Sequence, residues 1–433
     1  MDIRMKEFTF RVLSENDIKN LCRRPKMNFR SIFKKIEPII EKVAEEGDRA
    51  IRYFTEKFDN VSPDPLVINP ANTNVSIDPE AKRAIDTAFK NIYRFHKAQL
   101  PLPLEVETMP GVKCRRVTRA IEKVGLYVPG GTAILPSTLM MLGIPAALAG
   151  CKTIVVATPP QNDDTIAEEI LYIAQKIGIT HLVKAGGAQA IAGMALGTSS
   201  VPKVDKIFGP GNQYVTAAKM LLQNSDAQIA IDMPAGPSEV LIIADGSANP
   251  DFVAADLLSQ AEHGADSQVV LVATDDFKIE SCRRAIKQQL QQLPRSDIAL
   301  QAINNSFTLT VDTLDEAFEF SNLYAPEHLI VQCEGAEEWS TRIHNAGSVF
   351  LGHWTPESAG DYASGTNHTL PTYGYARMFS GVSVDSFIKN ITMQSLTVDG
   401  LKKLGPTVQK LAELEGLDAH KNAVSIRIKN MDN

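Results

Sequence analysis

The chain reads as an α/β protein: two parallel-sheet, incompletely Rossmann-like domains, with an N-terminal arm and a helical C-terminal tail. Three observations predict this. From residue 121 to about 350, short apolar runs alternate with helical stretches, the pattern of βαβ units forming a parallel sheet covered on both faces. The alternation comes in two series, 123–232 and 239–350. The length, 433 residues, suits several domains of ~100–200 residues each. A hydrophobic fraction of 44% and a charged fraction of 22% are ordinary for a globular protein, so disorder on a large scale is excluded.

Taken in order, residues 1–25 are mixed and charged, with one strand-like run at 8–13, and read as an arm. Helical periodicity covers 32–58 and 78–100, after which Pro101 and Pro103 break the chain. The first series predicts strands at 123–128, 153–157, 181–184, 206–208 and 228–232. Between them it predicts helices at 137–149, 166–177, 189–196 and 213–222. The second series predicts strands at 240–243, 269–273, 308–311 and 328–332. Residues 353–374 hold one aliphatic side chain larger than alanine, Leu370, and read as a long functional loop. From 378 on, helices with sparse apolar faces form a tail too small to bury its own core, which must dock on the rest of the chain or on a partner subunit.

Composition removes several function classes. Lys+Arg is 44 and Asp+Glu 51, a net charge of −7, which argues against a protein that grips nucleic-acid phosphates. Residues 124–151 carry no charge and are long enough to span a bilayer. Pro129, Gly130, Gly131, Pro136 and Pro145 fit a strand, a turn and a buried helix better, so no membrane span is expected. The N-terminal sequence has no apolar signal region, and the expected location is cytoplasmic. The five cysteines, Cys22, Cys114, Cys151, Cys282 and Cys333, form no CxxC pair. A disulfide framework and a cysteine-type zinc site both fall away, and any metal must use histidine, carboxylate or amide ligands.

Three glycine-rich turns each join a strand to a helix: the turns ending at Gly131, at Gly187 and at Asn212. Free N–H groups at a helix start favour an anion such as a pyrophosphate. The third turn has part of the G-x-G-x-x-G pattern, with Tyr214 in place of the last glycine. Asp232, 21 residues after Gly211, stands where a ribose-binding acid would lie. Ordinary strand-to-helix turns give the same sequence. In the run SQAEH at 259–263, Gln260 and His263 share a helix face and offer an amide and an imidazole to a metal, although Gly264 also makes His263 a plain helix-end residue. In YAPEHL at 324–329, Glu327 and His328 could divide base and acid work or form a surface pair at a strand entry. Asp361 and His368 lie in the polar loop, and Glu415 and His420 in the tail, at positions that also suit turns and caps.

The segments GLYVPGGTAILPSTLMM, KIFGPGNQYV, DMPAGPSEVLIIAD, LLSQAEHG, LYAPEHL, NAGSVFLG, AGDYASGTNHTLPT and GLDAHKNAVSIR together resemble the histidinol dehydrogenase family, in order, from about Gly111 to Arg427. The resemblance implies oxidation of L-histidinol to L-histidine through histidinal, with two NAD⁺ and one zinc ion. It implies zinc ligands at Gln260, His263, Asp361 and His420, and a catalytic pair at Glu327 and His328. It implies substrate contacts at Ser238, Gln260, His263, His328, Asp361, Glu415 and His420, and NAD contacts at Tyr127, Gln189 and Asn212. It further implies a homodimer in which the tail of one subunit completes the partner's site. The domain division expected on this basis is an arm at 1–25, an α/β domain at 26–122 with 238–377 carrying the metal and catalytic residues, a nucleotide-binding domain at 123–237, and a tail at 378–433 on the partner subunit. For Cys114 and Cys151 a packing role is expected.

Two other readings use the same residues. A zinc hydrolase would take Glu327 as base for water and leave the glycine turns structural. A dehydrogenase of another amino alcohol would differ only in pocket shape.

Overall fold

The computed structural model describes residues 3–24, 29–130, 134–233 and 236–431; Gly131 of the first glycine-rich turn lies outside them. Both expected parallel sheets form. In the first, strands Lys123–Tyr127, Thr153–Thr158, His181–Lys184, Lys206–Phe208 and Ala230–Ile231 run parallel, and Val67–Ile68 adds antiparallel at one edge. In the second, Glu239–Ala244, Gln268–Thr274, Phe307–Val311, His328–Gln332 and Ser348–Leu351 run parallel. Counted along the chain, the five parallel strands of each sheet lie in the same spatial order, 3-2-1-4-5. Each sheet therefore reverses its winding between its first and fourth strands, the place where open α/β sheets hold ligands. These strands were legible because both faces are covered: every residue of Glu239–Ala244 and of His328–Gln332 is buried, which forces continuous apolar runs.

The arm does more than expected. Lys6–Thr9 pairs parallel with Phe307–Val311 and extends the second sheet. A helix, Glu15–Leu21, follows, closed at its start by reciprocal bonds between Ser14 and Asp17, and its apolar side packs on the Leu314–Tyr324 helix region.

The grouping of 26–122 with 238–377 is not how these residues pack. The single helical stretch expected at 32–58 is two helices, Phe29–Glu46 and Asp48–Asp59, parted at Gly47. Ile32, Ile36, Ile39 and Val43 bury one face of the first against helices Gly187–Leu196 and Gln213–Gln223 of the first sheet. Pro79–Lys97 packs against Pro136–Ala149 on that sheet's other face. Helical spacing shows that a face is apolar; it carries no information on which sheet will bury it.

The tail also departs from expectation. It opens with a strand, Ile388–Leu396, paired over all nine residues with Val112–Ala120, which pairs in turn with Leu104–Met109. Two helices, Val398–Leu414 and Asp418–Lys429, then pack on each other. They leave Leu411, Leu414, Leu417 and Ile426 exposed. Of the uncharged stretch at 124–151, the strand Lys123–Tyr127 and the buried helix Pro136–Ala149 form as expected, the expected turn lies partly outside the described residues, and no helix among the described residues is long and apolar enough to cross a membrane.

Within the 353–374 loop, a short helix forms at Glu357–Tyr362. The loop ties the two sheets together. Asn367 donates to the Met141 carbonyl at 2.6 Å, and His368 Nε2 lies 3.2 Å from Thr138 Oγ1.

Candidate active site

One cluster sits at the amino ends of the first and fourth strands of the second sheet. The Leu314–Tyr324 helix stops at Ala325, which takes a left-handed conformation, and Pro326 turns the chain into the His328–Gln332 strand. Glu327 is still in the turn when His328 has entered the strand. The alternation that sends strand neighbours to opposite faces therefore does not separate them. Both are buried, and both meet the backbone of one residue, Glu239. Glu327 Oε2 accepts from Glu239 N–H at 2.9 Å, and His328 Nδ1 lies 3.2 Å from the Glu239 carbonyl. His328 Nδ1 is 3.6 Å from Glu327 Oε2, and its Nε2 is 3.3 Å from Asp361 Oδ1.

Asp361 stands on the short loop helix one turn after Glu357. His328, Glu357 and Asp361 bring ligand-type atoms within 4.8 Å of one another. Of these, only Asp361 belongs to the metal set the sequence led to. Gln260, another member of that set, ends the Pro250–Ala261 helix fully buried, and neither its amide oxygen nor its nitrogen has a hydrogen-bond partner among the described residues. An orphaned buried amide is costly, and a water, an ion or a ligand group placed there would satisfy it. His263 follows in the next turn, within electrostatic reach of Asp361, His328 and His368.

The charges in this cluster are shaped by burial. Burial pushes the Glu327 carboxyl up to about 8 against the pull of His328, and pushes Glu357 up to about 8 as well. Burial opposes charge on His328, but Glu357, Glu327 and Asp361 outweigh it and raise that ring well above the usual histidine range. Burial lowers His263, so its neutral, metal-binding form is favoured. Burial works against the Asp361 carboxylate too, yet contact with His328 holds it below its usual range.

The second centre is a cavity of about 510 Å³ at the carboxyl ends of the first sheet, at its winding reversal. All three expected nucleotide residues line it: Tyr127, Gln189 and Asn212, with Gly130, Gly186 and Gly187. The Tyr127 hydroxyl accepts from Gly187 N–H at 3.0 Å, so one glycine turn is fixed to the other strand end. Asn212 caps the Gln213–Gln223 helix through its carbonyl oxygen, which leaves its amide N–H₂ as the group to offer a ligand. Gly209 has φ +123°, and a Cβ there would come within 2.1 Å of the Tyr127 carbonyl oxygen, so only glycine fits. The His368 ring links the centres: Nδ1 is 2.8 Å from the Asp361 carbonyl, and Nε2 faces Thr138 on the helix after the first glycine turn.

Asp232 does not face this cavity. It pairs with Lys219, each side chain less than 5% exposed, and its other oxygen accepts from Gly209 N–H at 2.8 Å. Lys219 also donates to the Gly209 carbonyl at 3.0 Å. The spacing found the right strand end, but the carboxylate braces the turn from behind and cannot reach a ribose. Asp232→Ala leaves a buried lysine unpaired and is expected to lower the unfolding free energy by about 3–5 kcal/mol. Urea unfolding checks this; a loss under about 1 kcal/mol would show the pair to be dispensable.

The remaining sequence-derived residues fall in two groups. Ser238 is half-buried directly before Glu239, beside the cluster. Glu415 and His420 are exposed on the tail helices, and among the described residues neither hydrogen-bonds to or ion-pairs with the cluster. Sequence reasoning missed Glu357, although it lies four residues before Asp361 on a common helix face. It also missed Asp59, which lines the 510 Å³ cavity and an adjoining one of about 390 Å³, with one buried carboxylate oxygen that has no partner. Cys151, Cys282 and Cys333 are pushed up to about 12 by burial, the state of unreactive packing thiols.

Fold and site define a two-sheet α/β enzyme with a cofactor-sized cavity on one sheet and a buried acid–base cluster on the other. The chain belongs to the histidinol dehydrogenase family, whose family model matches residues 22–428, and it is accordingly an oxidoreductase. It is 57% identical over 430 residues to a chloroplastic histidinol dehydrogenase of Arabidopsis thaliana, covering 99% of this chain and 92% of the relative. It is 51% identical over 434 residues to the histidinol dehydrogenase of Photobacterium profundum, covering 99% and 96%. The crystal structure of histidinol dehydrogenase from Elizabethkingia anophelis superposes with a TM-score of 0.95 at 48% identity, covering 100% of both chains.

Proposed function

We propose that this chain catalyses the zinc-dependent, NAD-dependent, four-electron oxidation of L-histidinol to L-histidine through L-histidinal, as a homodimer with shared active sites. The observation that carries the reading is the buried cluster in which Glu327 and His328 grip the backbone of Glu239 and His328 faces Asp361, beside the unpartnered amide of Gln260.

The donor set fits zinc: an orphaned amide oxygen on Gln260, a neutral imidazole on His263 and an ionised carboxylate on Asp361. The fourth ligand is His420 of the partner subunit. Bound there, the metal supplies a template that orients the substrate's imidazole and amine. Tyr127, Gln189 and Asn212 hold the dinucleotide, which when bound supplies the hydride acceptor.

The chain's own residues then move protons. The His328 ring takes the hydroxyl proton as hydride leaves the carbinol carbon, giving the aldehyde. Glu327 takes a proton from the water that adds to the aldehyde, and the resulting hydrate anion loses a second hydride and then its remaining hydroxyl proton to solvent, which leaves the carboxylate. Glu415 of the partner subunit, a carboxylate on the exposed tail, receives the substrate ammonium. Ser238 contacts the substrate beside them.

The test is NADH formed per L-histidinol consumed, with and without a zinc chelator. Two NADH per substrate, lost on chelation and restored by zinc, is the expected result. One NADH with aldehyde accumulating would remove the role of Glu327. No NADH in either condition would overturn the reading in favour of the hydrolase or of another substrate.

A further inference from the structure

We propose that Arg24, at the end of the N-terminal arm, is a positioning residue for the Glu327–His328 pair; this rests on the catalytic reading of that pair given above.

The Arg24 side chain is buried although its backbone is in part exposed. Its side chain is 4% exposed and that of Glu239 1%. Its guanidinium grips the Glu239 carboxylate with two parallel bonds, Nε to Oε2 at 2.8 Å and Nη2 to Oε1 at 2.9 Å. Such a fork fixes orientation as well as distance. The third arm, Nη1, donates to the Cys22 carbonyl at 2.7 Å, which ties the clamp to the helix Glu15–Leu21. The flat face of the guanidinium lies 3.4 Å from the centre of the Tyr324 ring, a stacking contact open to arginine and not to lysine. Tyr324 is itself buried and held by Gln268 through its hydroxyl at 3.2 Å.

The two residues that Arg24 grips are the two that frame the pair. Glu239 opens the first strand of the second sheet, and its own N–H and C=O meet Glu327 and His328. Tyr324 ends the helix that delivers Glu327 and His328 through Ala325 and Pro326. A shift of the Glu239 side chain relative to Tyr324 moves the Glu239 backbone N–H and C=O on which the carboxylate and the imidazole are registered. Stability alone is a weak reason for a bidentate buried ion pair at this point: solvation is lost on both charges, and apolar residues of similar volume are often no less stable in such a place. Arg24 itself touches neither member of the pair by any hydrogen bond, so its action is through Glu239 and Tyr324.

The experiment compares Arg24→Lys, the double variant Arg24→Met with Glu239→Gln, and Glu327→Gln, each purified with its metal content measured. Misplacement by ~1 Å costs up to about 100-fold in rate. Arg24→Lys keeps the charge and loses the fork and the stacking. It is expected to lower kcat for histidinol oxidation by about 10-fold, with KM changed less than about twofold, per metal-loaded molecule. The double variant buries no unpaired charge, so it folds where a single Arg24→Met does not; its kcat falls about as far or further. A purely structural role predicts instead that kcat per metal-loaded folded molecule stays at the wild-type value in both. That result, with Glu327→Gln inactive, would overturn this proposal alone. A fully active Glu327→Gln would overturn the catalytic reading and this proposal with it.

Discussion

Replacing His328 with alanine is expected to lower kcat for L-histidinol about 10²–10⁴-fold, the range a positioned general base contributes, while the purified protein keeps its metal. His263→Ala is expected to do the reverse in metal: it loses the ion on dialysis, and activity with it. The pair of variants decides between two sets of residues that share Asp361. One is the compact group His328, Glu357 and Asp361, whose ligand-type atoms already lie within 4.8 Å. The other is Gln260, His263 and Asp361, where the amide of Gln260 is left without partners. His328 keeps Nδ1 on the Glu239 carbonyl with Glu327 nearby, while Nε2 lies 3.3 Å from Asp361 with no hydrogen-bond partner among the described residues, which leaves it open to take a proton. Three carboxylates around it stabilise the imidazolium that forms when the ring takes a proton, and the same field disfavours a metal ligand, since only the neutral ring binds a metal. Metal content by atomic absorption and steady-state NADH formation read the two effects separately. Loss of metal from His328→Ala with retention in His263→Ala would exchange the assignments.

The parts of the molecule that were legible are those where burial leaves a mark on the sequence. His181–Lys184, Lys206–Phe208 and His328–Gln332 match the expected ranges because a strand covered on both faces must be apolar throughout and must end where polar turns begin. Ile388–Leu396 left no such mark. Most of its residues are exposed, and it pairs at the edge of a three-stranded antiparallel sheet, so nothing in its composition separates it from the helices that follow. The site was legible where two residues are near in sequence, as Gln260 with His263 and Glu327 with His328. It was not legible where the fold makes the contact. Glu239 belongs to the cluster through its backbone, which any residue shares. Arg24 reaches it across 215 positions. Asp232 shows the converse: the spacing rule located the strand end, and the nearby Lys219 on the Gln213–Gln223 helix took the carboxylate for itself.

Co-expression of His420→Ala and Glu327→Ala chains is expected to restore activity that neither variant has alone. Within one chain, Gln260, His263 and Asp361 offer three donors, whereas a closed tetrahedral zinc site takes four. Glu415 and His420 stand exposed on the tail helices, beside Leu411, Leu414, Leu417 and Ile426, which no described residue covers well enough to bury. A second copy of the chain that buried those leucines would bring His420 of the partner subunit to the three donors, and by two-fold symmetry each copy would do so for the other. In a mixed dimer, one site then joins an intact Glu327 to an intact tail, and the other carries both defects. Random pairing makes half the dimers mixed, each with one working site, so recovery is expected at about a quarter of the wild-type rate per chain. Each site built from one chain alone predicts no recovery at any ratio of the two variants. The yield of activity against the ratio of the chains, which peaks at equal amounts only when sites are shared, separates true complementation from contamination by either parent.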